Sequence, residues 1–97
     1  MKLVVTRRAS RHLAGIFRHI SADNPYAARR VLARIHLSLE RLAAMPHIGR
    51  PGRIAGSRRW PVPGLPYIVV YFGDEATGEL SFIAIYHGAR GHSLPPD

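Results

Sequence analysis

Hydrophobic residues recur through the first half of the chain at the spacing of amphipathic helices. Residues 2–5 are typical of a short strand, and the side-chain oxygen of Thr6 can accept a hydrogen bond from a free amide in the first turn of a following helix. The apolar positions after Thr6 fall on one stripe of that helix. They predict a buried face that contains Ala9, Leu13, Ile16, Phe17 and Ile20.

A second helix is predicted to begin at Asn24-Pro25. Asn is a favourable cap, and Pro costs nothing at the first helical position because the amide that it lacks would have no partner there. The helix should end before Pro46, since a proline disfavours helical geometry in the preceding residue. The connection between the two helices is short, so an antiparallel hairpin is expected. The second apolar stripe consists of Ala28, Val31, Leu32, Ile35, Leu39 and Leu42.

After Gly49 the apolar spacing changes to two, and the composition shifts to Gly, Pro, β-branched and aromatic residues. Strands are predicted over residues 58–62, 65–72 and 80–87, with a hairpin loop over 73–78. Pro61, Pro63 and Pro66 lack a backbone N–H, so the first of these strands is expected to be short, bulged or at an edge of the sheet. The segment 93–97 is expected to be a flexible tail.

The chain carries a formal net charge of +8, and all but one of its 14 basic residues are arginine. Because the planar guanidinium suits phosphate and carboxylate groups, an anionic partner is expected. Nucleic acid, the ribosome and an acidic protein segment all fit this description. A GC-rich genome, which would enrich Arg and Ala together, is an alternative account of the charge.

Composition excludes other classes of protein. The 97 residues contain no cysteine, so a disulfide framework and a thiolate metal site are both excluded. The apolar runs at 68–72 and 82–86 are far shorter than the roughly 18 residues that a membrane span needs. No signal-like apolar segment follows Lys2. We therefore expect one domain over residues 1–97, located in the cytoplasm and without a membrane partner.

Several short motifs follow one another in a fixed order: Asn24-Pro25, Pro46, Gly49-Arg50, Gly56-x-Arg58, Pro66-Tyr67 and His87-Gly88-Ala89-Arg90. In order and spacing they resemble the RelE/ParE superfamily of small bacterial toxins over nearly the whole chain. Two positions depart from the superfamily pattern. His12 stands where an acidic residue is frequent, and Trp60 stands where a smaller aliphatic residue is usual.

The resemblance and the order of the predicted elements imply an α+β fold. An N-terminal strand and a helical hairpin would pack on a small, mainly antiparallel sheet. Residues 66–71 match the superfamily's central strand, and residues 83–90 match its last strand and exit.

Two branches of the superfamily share this scaffold and differ in chemistry. RelE-like members cut messenger RNA in the ribosomal A site, whereas ParE-like members poison DNA gyrase. RNA cleavage needs a base, an acid and cations that hold the phosphate, all on one face. The predicted central strand contains no basic residue, and Lys2 is the only lysine, so the sequence favours the ParE-like branch.

The resemblance therefore implies the toxin of a type II toxin–antitoxin system, which inhibits DNA gyrase and uses no cofactor. A cognate antitoxin with an acidic segment would neutralise it in a hetero-oligomer. Two alternatives remain open. One is a ribosome-dependent messenger RNA endonuclease, which would be an enzyme, and the other is a non-toxic binding module in an antitoxin–operator complex.

If the chain is a nuclease, the candidate catalytic residues are Arg58, Arg59, His87 and Arg90. His87 can exchange a proton near neutral pH, and arginine can neutralise a phosphate. A structural role for His87 at the end of a strand is the alternative. Two roles remain open for Arg58: a structural ion pair and a contact to the target.

Further residues are expected to contact the target or the antitoxin. Arg50 and Arg53 flank an exposed Pro-Gly loop and form either an electrostatic contact surface or a solvated turn. Trp60, Tyr67 and Tyr71 can stack on bases, although aromatic residues of a small sheet more often lie in the core or in a protein interface. The full predicted contact set is Arg50, Arg53, Arg58, Trp60, Tyr67, Tyr71, His87 and Arg90.

No metal site is expected from the six histidines. His12 and His19 are seven residues apart, which is roughly 10 Å along a helix, and the other histidines lack a chelating spacing.

Overall fold

A computed structural model describes residues 1–90, except for the side chain of Arg90. Within residues 1–90 the elements are β1 (Lys2–Val5), α1 (Arg7–Ser21), α2 (Pro25–Ala44), β2 (Arg50–Pro51), β3 (Arg58–Pro61), β4 (Tyr67–Asp74), β5 (Glu79–His87) and a 3₁₀ turn (Gly88–Arg90). The tail predicted over 93–97 lies outside the described residues.

The strands form one sheet in the order β1-β5-β4-β3-β2. β1 pairs with β5 in parallel, and the other neighbours pair antiparallel. Two helices on a mainly antiparallel sheet confirm the predicted α+β fold, with β4 at the centre of the sheet.

Both helices begin where the sequence predicts, and α2 also ends where it predicts. The Thr6 hydroxyl accepts a hydrogen bond from the Ala9 N–H at 3.1 Å, and the Asn24 side chain accepts one from the Ala27 N–H at 3.0 Å. Met45 caps the end of α2 with a non-helical φ of −135°, directly before Pro46. The Thr6 and Asn24 caps satisfy amides that would otherwise have no partner in the first turn of each helix.

The main core lies between the helices and one face of the sheet. Its buried residues are Ala9, Ile35, Leu39, Leu42, Val62, Tyr67, Val69, Tyr71, Leu80, Phe82 and Ile85. The members from β4 are alternate residues, as expected when one face of a strand is covered. We call this side of the sheet the core face.

A β-bulge in β5 interrupts this alternation. Tyr71 pairs with Phe82 and Val70 pairs with Ala84, so Ile83 is the extra residue. Because of this insertion, Phe82 and Ile85 both lie on the core face although they are three residues apart. His87 pairs with Tyr67, also on the core face, and Tyr86 lies on the opposite face.

The strand boundaries correct the sequence prediction at two connections. The Val62 N–H donates to the Tyr67 carbonyl at 2.9 Å and closes a turn, so β3 ends one residue earlier and β4 begins two residues later than predicted. β4 also ends two residues later and β5 begins one residue earlier than predicted, because Asp74 pairs with Glu79. The hairpin loop is therefore 75–78 rather than 73–78.

The two-residue strand β2 was not predicted. It pairs with Arg58 and Arg59 only, so β3 has no strand beside Trp60 and Pro61 on that side within the described residues. β3 itself is four residues long, which confirms that this proline-rich strand is short.

Candidate functional site

Four residues from three segments of the chain meet in a hydrogen-bonded clasp around the loop after α2. The buried Tyr71 hydroxyl donates to the Pro46 carbonyl at 2.7 Å and accepts from the Gly49 N–H at 3.0 Å. Arg58 Nη1 donates to the Gly49 carbonyl at 2.8 Å. We call Pro46, Gly49, Arg58 and Tyr71 the loop clasp.

Position 49 has no room for a side chain, so it requires glycine. A Cβ at this position would lie 2.5 Å from the Tyr71 hydroxyl oxygen and 2.9 Å from the Arg59 carbonyl oxygen. Burial raises the pKa of Tyr71, and the hydrogen bond from Gly49 and the charge of Arg58 lower it by less. The hydroxyl therefore stays protonated and can donate to Pro46.

The loop clasp defines the role of Arg58. Its half-buried guanidinium bonds to backbone carbonyls of the loop. Among the described residues it forms no ion pair, so its structural contact differs from the one expected from the sequence. Such bonds hold β3 to the exit of α2 and position β2 beside it.

Arg59 lies on the face of the sheet opposite the core face, because it pairs with Val70 whereas Arg58 pairs with the buried Tyr71. Arg50 is the cross-strand partner of Arg59, and both side chains are exposed. Like charges directly opposite each other are destabilising in a sheet. Neither arginine makes an ion pair with the described side chains, so this pair, with the exposed Arg53 in the following loop, is a cationic surface open to an anion.

His87 is anchored at the end of β5. Its ring packs edge-on against Tyr67 with 5.7 Å between the ring centroids, and its Nδ1 accepts a hydrogen bond from the Ala89 N–H at 3.1 Å. Such contacts fit the structural role at a strand end. The side chain of Arg90, the predicted partner of His87, lies outside the described residues.

The predicted aromatic contacts lie mostly inside the protein. Tyr71 is fully buried, Tyr67 is 9% exposed, and the half-buried Trp60 packs against the core. The Trp60 Nε1 is buried without a hydrogen-bond partner among the described residues. None of the three presents a free ring for stacking on a base.

Two of the candidate nuclease residues, Arg58 and Arg59, are separated by the sheet. Arg58 and Arg59 point to opposite faces, Arg58 is held by the loop, and β4 carries no basic residue. Among the described residues, no three His, Asp or Glu side chains are grouped so that they could hold a metal ion. The exposed arginines can bind anions electrostatically, and the described side chains do not by themselves bring an acid, a base and a phosphate clamp together.

Sequence reasoning missed a cavity beside α2. It is lined by Arg34, Leu37, Ser38, Arg41, Val62 and Pro63. Leu37 is 65% exposed and does not belong to the buried stripe of α2. A leucine between two arginines on the polar side of the helix was the available signal.

None of the helices within residues 1–90 has the length and apolar character that crossing a membrane requires.

Comparisons with known proteins agree with this architecture. Residues 3–91 match the model of a family described as the ParE toxin of the type II toxin–antitoxin system parDE. A curated protein of Sinorhizobium fredii named "Putative toxin Y4kP" is 46% identical over 66 residues, which cover 68% of this chain and 69% of that protein.

A solved structure described as the chromosomal ParDE toxin–antitoxin system from P. aeruginosa superposes with a TM-score of 0.77. The match covers 90% of this chain and 95% of the other, and the sequences are 23% identical, so it supports the fold alone. With the family match over nearly the whole chain, this protein belongs to the ParE toxin family of type II toxin–antitoxin systems, within the RelE/ParE superfamily.

Proposed function

We propose that the chain inhibits DNA gyrase and is held inactive by a cognate antitoxin. The observation that carries the proposal is the family match over residues 3–91, since ParE-like members of the superfamily are those that act on gyrase. The chain is the toxin half of its pair, and an antitoxin is its expected partner.

The chemistry of the sheet supports a toxin that acts by binding rather than by cutting RNA. A nuclease needs cations and a proton donor or acceptor directed at one phosphate. Here Arg58 bonds to two carbonyls, Arg59 lies on the other face, and His87 Nδ1 is occupied by the Ala89 N–H.

The surface charge supports an acidic partner. With a net charge of +8 and the exposed pair Arg50 and Arg59, the chain attracts anionic segments over several ångströms and at high association rates. An acidic antitoxin segment that folds on binding would gain a large contact area from such a surface. We place the encounter in the cytoplasm, where gyrase acts.

The proposal is tested by comparing wild type with His87→Ala on two targets, gyrase and programmed ribosomes. We expect both proteins to inhibit supercoiling equally and to leave ribosome-bound messenger RNA intact, because the His87 ring packs against Tyr67 and its Nδ1 bonds to the Ala89 N–H. Circular dichroism checks that the variant is folded. Cleavage of the messenger RNA by wild type, abolished in folded His87→Ala, would instead identify a RelE-like nuclease.

A further inference from the structure

A cavity of about 190 Å³ lies between the outer side of α2 and the turn that joins β3 to β4. Its lining residues are Arg34, Leu37, Ser38, Arg41, Val62 and Pro63. Ser38 and Val62 are buried and form its floor, and the other four residues are exposed and form its rim. The cavity is therefore open to a partner.

The apolar part of the cavity is a socket for one side chain. Leu37 is 65% exposed, whereas the neighbouring Leu39 and Leu42 of α2 are buried. A single exposed leucine is common on a protein surface. Here it borders the apolar floor at Val62, so a partner side chain inserted between them would remove both surfaces from water.

The positive charges of the two arginines at the cavity are not neutralised by a described acidic side chain. Arg34 and Arg41 are seven residues apart, so they lie on the same side of α2 about 10 Å from each other and on either side of Leu37. Neither forms an ion pair with a described side chain, and no acidic residue lines the cavity. Glu40, the acid next to Arg41 in sequence, lies 3.5 Å from His36 Nε2 instead.

The turn that forms one wall of the cavity is held in place by hydrogen bonds before any partner binds. The turn is closed by hydrogen bonds from the Val62 N–H to the Tyr67 carbonyl at 2.9 Å and from the Leu65 N–H to the Val62 carbonyl at 3.1 Å. Gly64 leaves room for the guanidinium of Arg34, since a Cβ there would lie 2.8 Å from Arg34 Nη1. A preformed wall lowers the ordering cost of binding.

We propose that this cavity docks a segment of the antitoxin, which inserts one apolar side chain and places carboxylates against Arg34 and Arg41. The inference rests on the toxin–antitoxin function proposed above and names the surface and the chemistry of the contact. A nucleic-acid backbone would use the arginines and leave the apolar socket empty, so the cavity favours a peptide. Membership of the toxin family supplies such a partner whichever target the toxin has.

The test is a fluorescence anisotropy titration of the labelled cognate antitoxin with the full-length toxin. We expect Arg34→Glu/Arg41→Glu to raise the Kd by about 30-fold or more, because both carboxylate contacts become repulsive. The control Arg18→Glu/Arg29→Glu makes the same change of charge on two exposed helical residues that do not line the cavity. It should raise the Kd by no more than about threefold.

Leu37→Ala tests the apolar contact without a change of charge. The side chain is mostly exposed, so the variant should fold normally by circular dichroism and raise the Kd by about five- to tenfold. The Arg34/Arg41 variant should still inhibit gyrase at the wild-type concentration, which separates antitoxin docking from toxicity.

Three results would overturn the docking proposal. They are an unchanged Kd for the Arg34/Arg41 variant, an equal loss in both double variants, and lost gyrase inhibition with normal antitoxin binding. The failure of the broader function looks different: wild-type toxin would not bind the antitoxin at all, and the docking proposal would fall with it.

Discussion

At the scale of single residues, the motifs that identify the family hold the structure together. Pro46, Gly49, Arg58 and Tyr71 form the loop clasp, in which one phenol and one guanidinium satisfy the polar backbone of the loop. The motifs could be found in the sequence, but the contact could not. It depends on a strand register that places Tyr71 opposite Arg58, and no local pattern encodes that register.

Gly49→Ala tests the space at the loop clasp. The added Cβ would meet the Tyr71 hydroxyl and the Arg59 carbonyl, so the loop or the tyrosine must shift. We expect the free energy of unfolding to fall by about 1–3 kcal/mol in urea denaturation. The control is Gly15→Ala in α1, where the nearest atom is 4.0 Å away and the change should raise helix stability by up to about 1 kcal/mol. Equal stabilities for the two variants would argue against the close approach at Gly49.

Tyr71→Phe removes the hydroxyl of the clasp and leaves the Gly49 N–H and the Pro46 carbonyl without their partner. At neutral pH we expect a loss of about 1–3 kcal/mol in the free energy of unfolding. Tyr26→Phe, at a 63% exposed position, serves as the control and should leave stability unchanged.

The buried hydroxyl of Tyr71 also predicts that the stability of the protein depends on pH. Burial raises the pKa of Tyr71 in the folded state above its ordinary value of 10.0, so the native protein holds this proton more tightly than the unfolded chain does. The resulting stability is fully present below about pH 10 and is lost as the pH rises through the folded pKa. The difference in stability between wild type and Tyr71→Phe should therefore shrink above about pH 10. A difference that stays constant through that range would contradict the buried, neutral phenol.

At the scale of elements, the helices were more predictable than the sheet. Thr6, Asn24 and Pro46 mark the helix ends by local chemistry, and the structure confirms these positions. The bulge at Ile83 and the short strand β2 have no comparable local signal. They arise from pairing between distant segments, which is why the boundaries of β3 and β4 and the loop between β4 and β5 were misplaced by one or two residues.

The end of β1 creates a gap that α1 fills with side chains. β1 stops at Val5, opposite Phe82, so β5 continues beyond its parallel neighbour. The Thr6 hydroxyl donates to the Phe82 carbonyl at 2.9 Å, and His12 Nδ1 accepts from the N–H of the buried Ile85 at 3.2 Å. His12, which departs from the superfamily pattern, thus takes the place of a strand partner.

His12→Ala should therefore leave the Ile85 amide buried without an acceptor. We expect the free energy of unfolding to fall by about 1–3 kcal/mol in thermal or urea denaturation. His36→Ala is the matched control, since His36 is an exposed histidine of α2 whose pairing with Glu40 is worth little. If the two alanine variants were equally stable, the bond between His12 and Ile85 would not hold α1 to β5.

At the scale of the whole molecule, the predicted contact residues divide into two groups. Arg50 and Arg53 are exposed, whereas Arg58, Tyr67 and Tyr71 belong to the loop clasp or the core. Arg59, a candidate only if the chain is a nuclease, is exposed as well. The order of the motifs could identify the family, and the charge predicted an anionic partner, but neither shows which side of a strand each residue faces. That side depends on register and on the bulge, so the sequence could not separate surface arginines from structural ones.

We propose that this cationic protein poisons gyrase by binding and not by cutting RNA. The most direct measurement adds antitoxin-free toxin to gyrase, ATP and relaxed plasmid, and follows supercoiling and trapped linear DNA. We predict lost supercoiling with linear DNA that appears in proportion to toxin and disappears when the antitoxin is added. Unaffected gyrase, with toxin that is folded and toxic in cells, would contradict the claim.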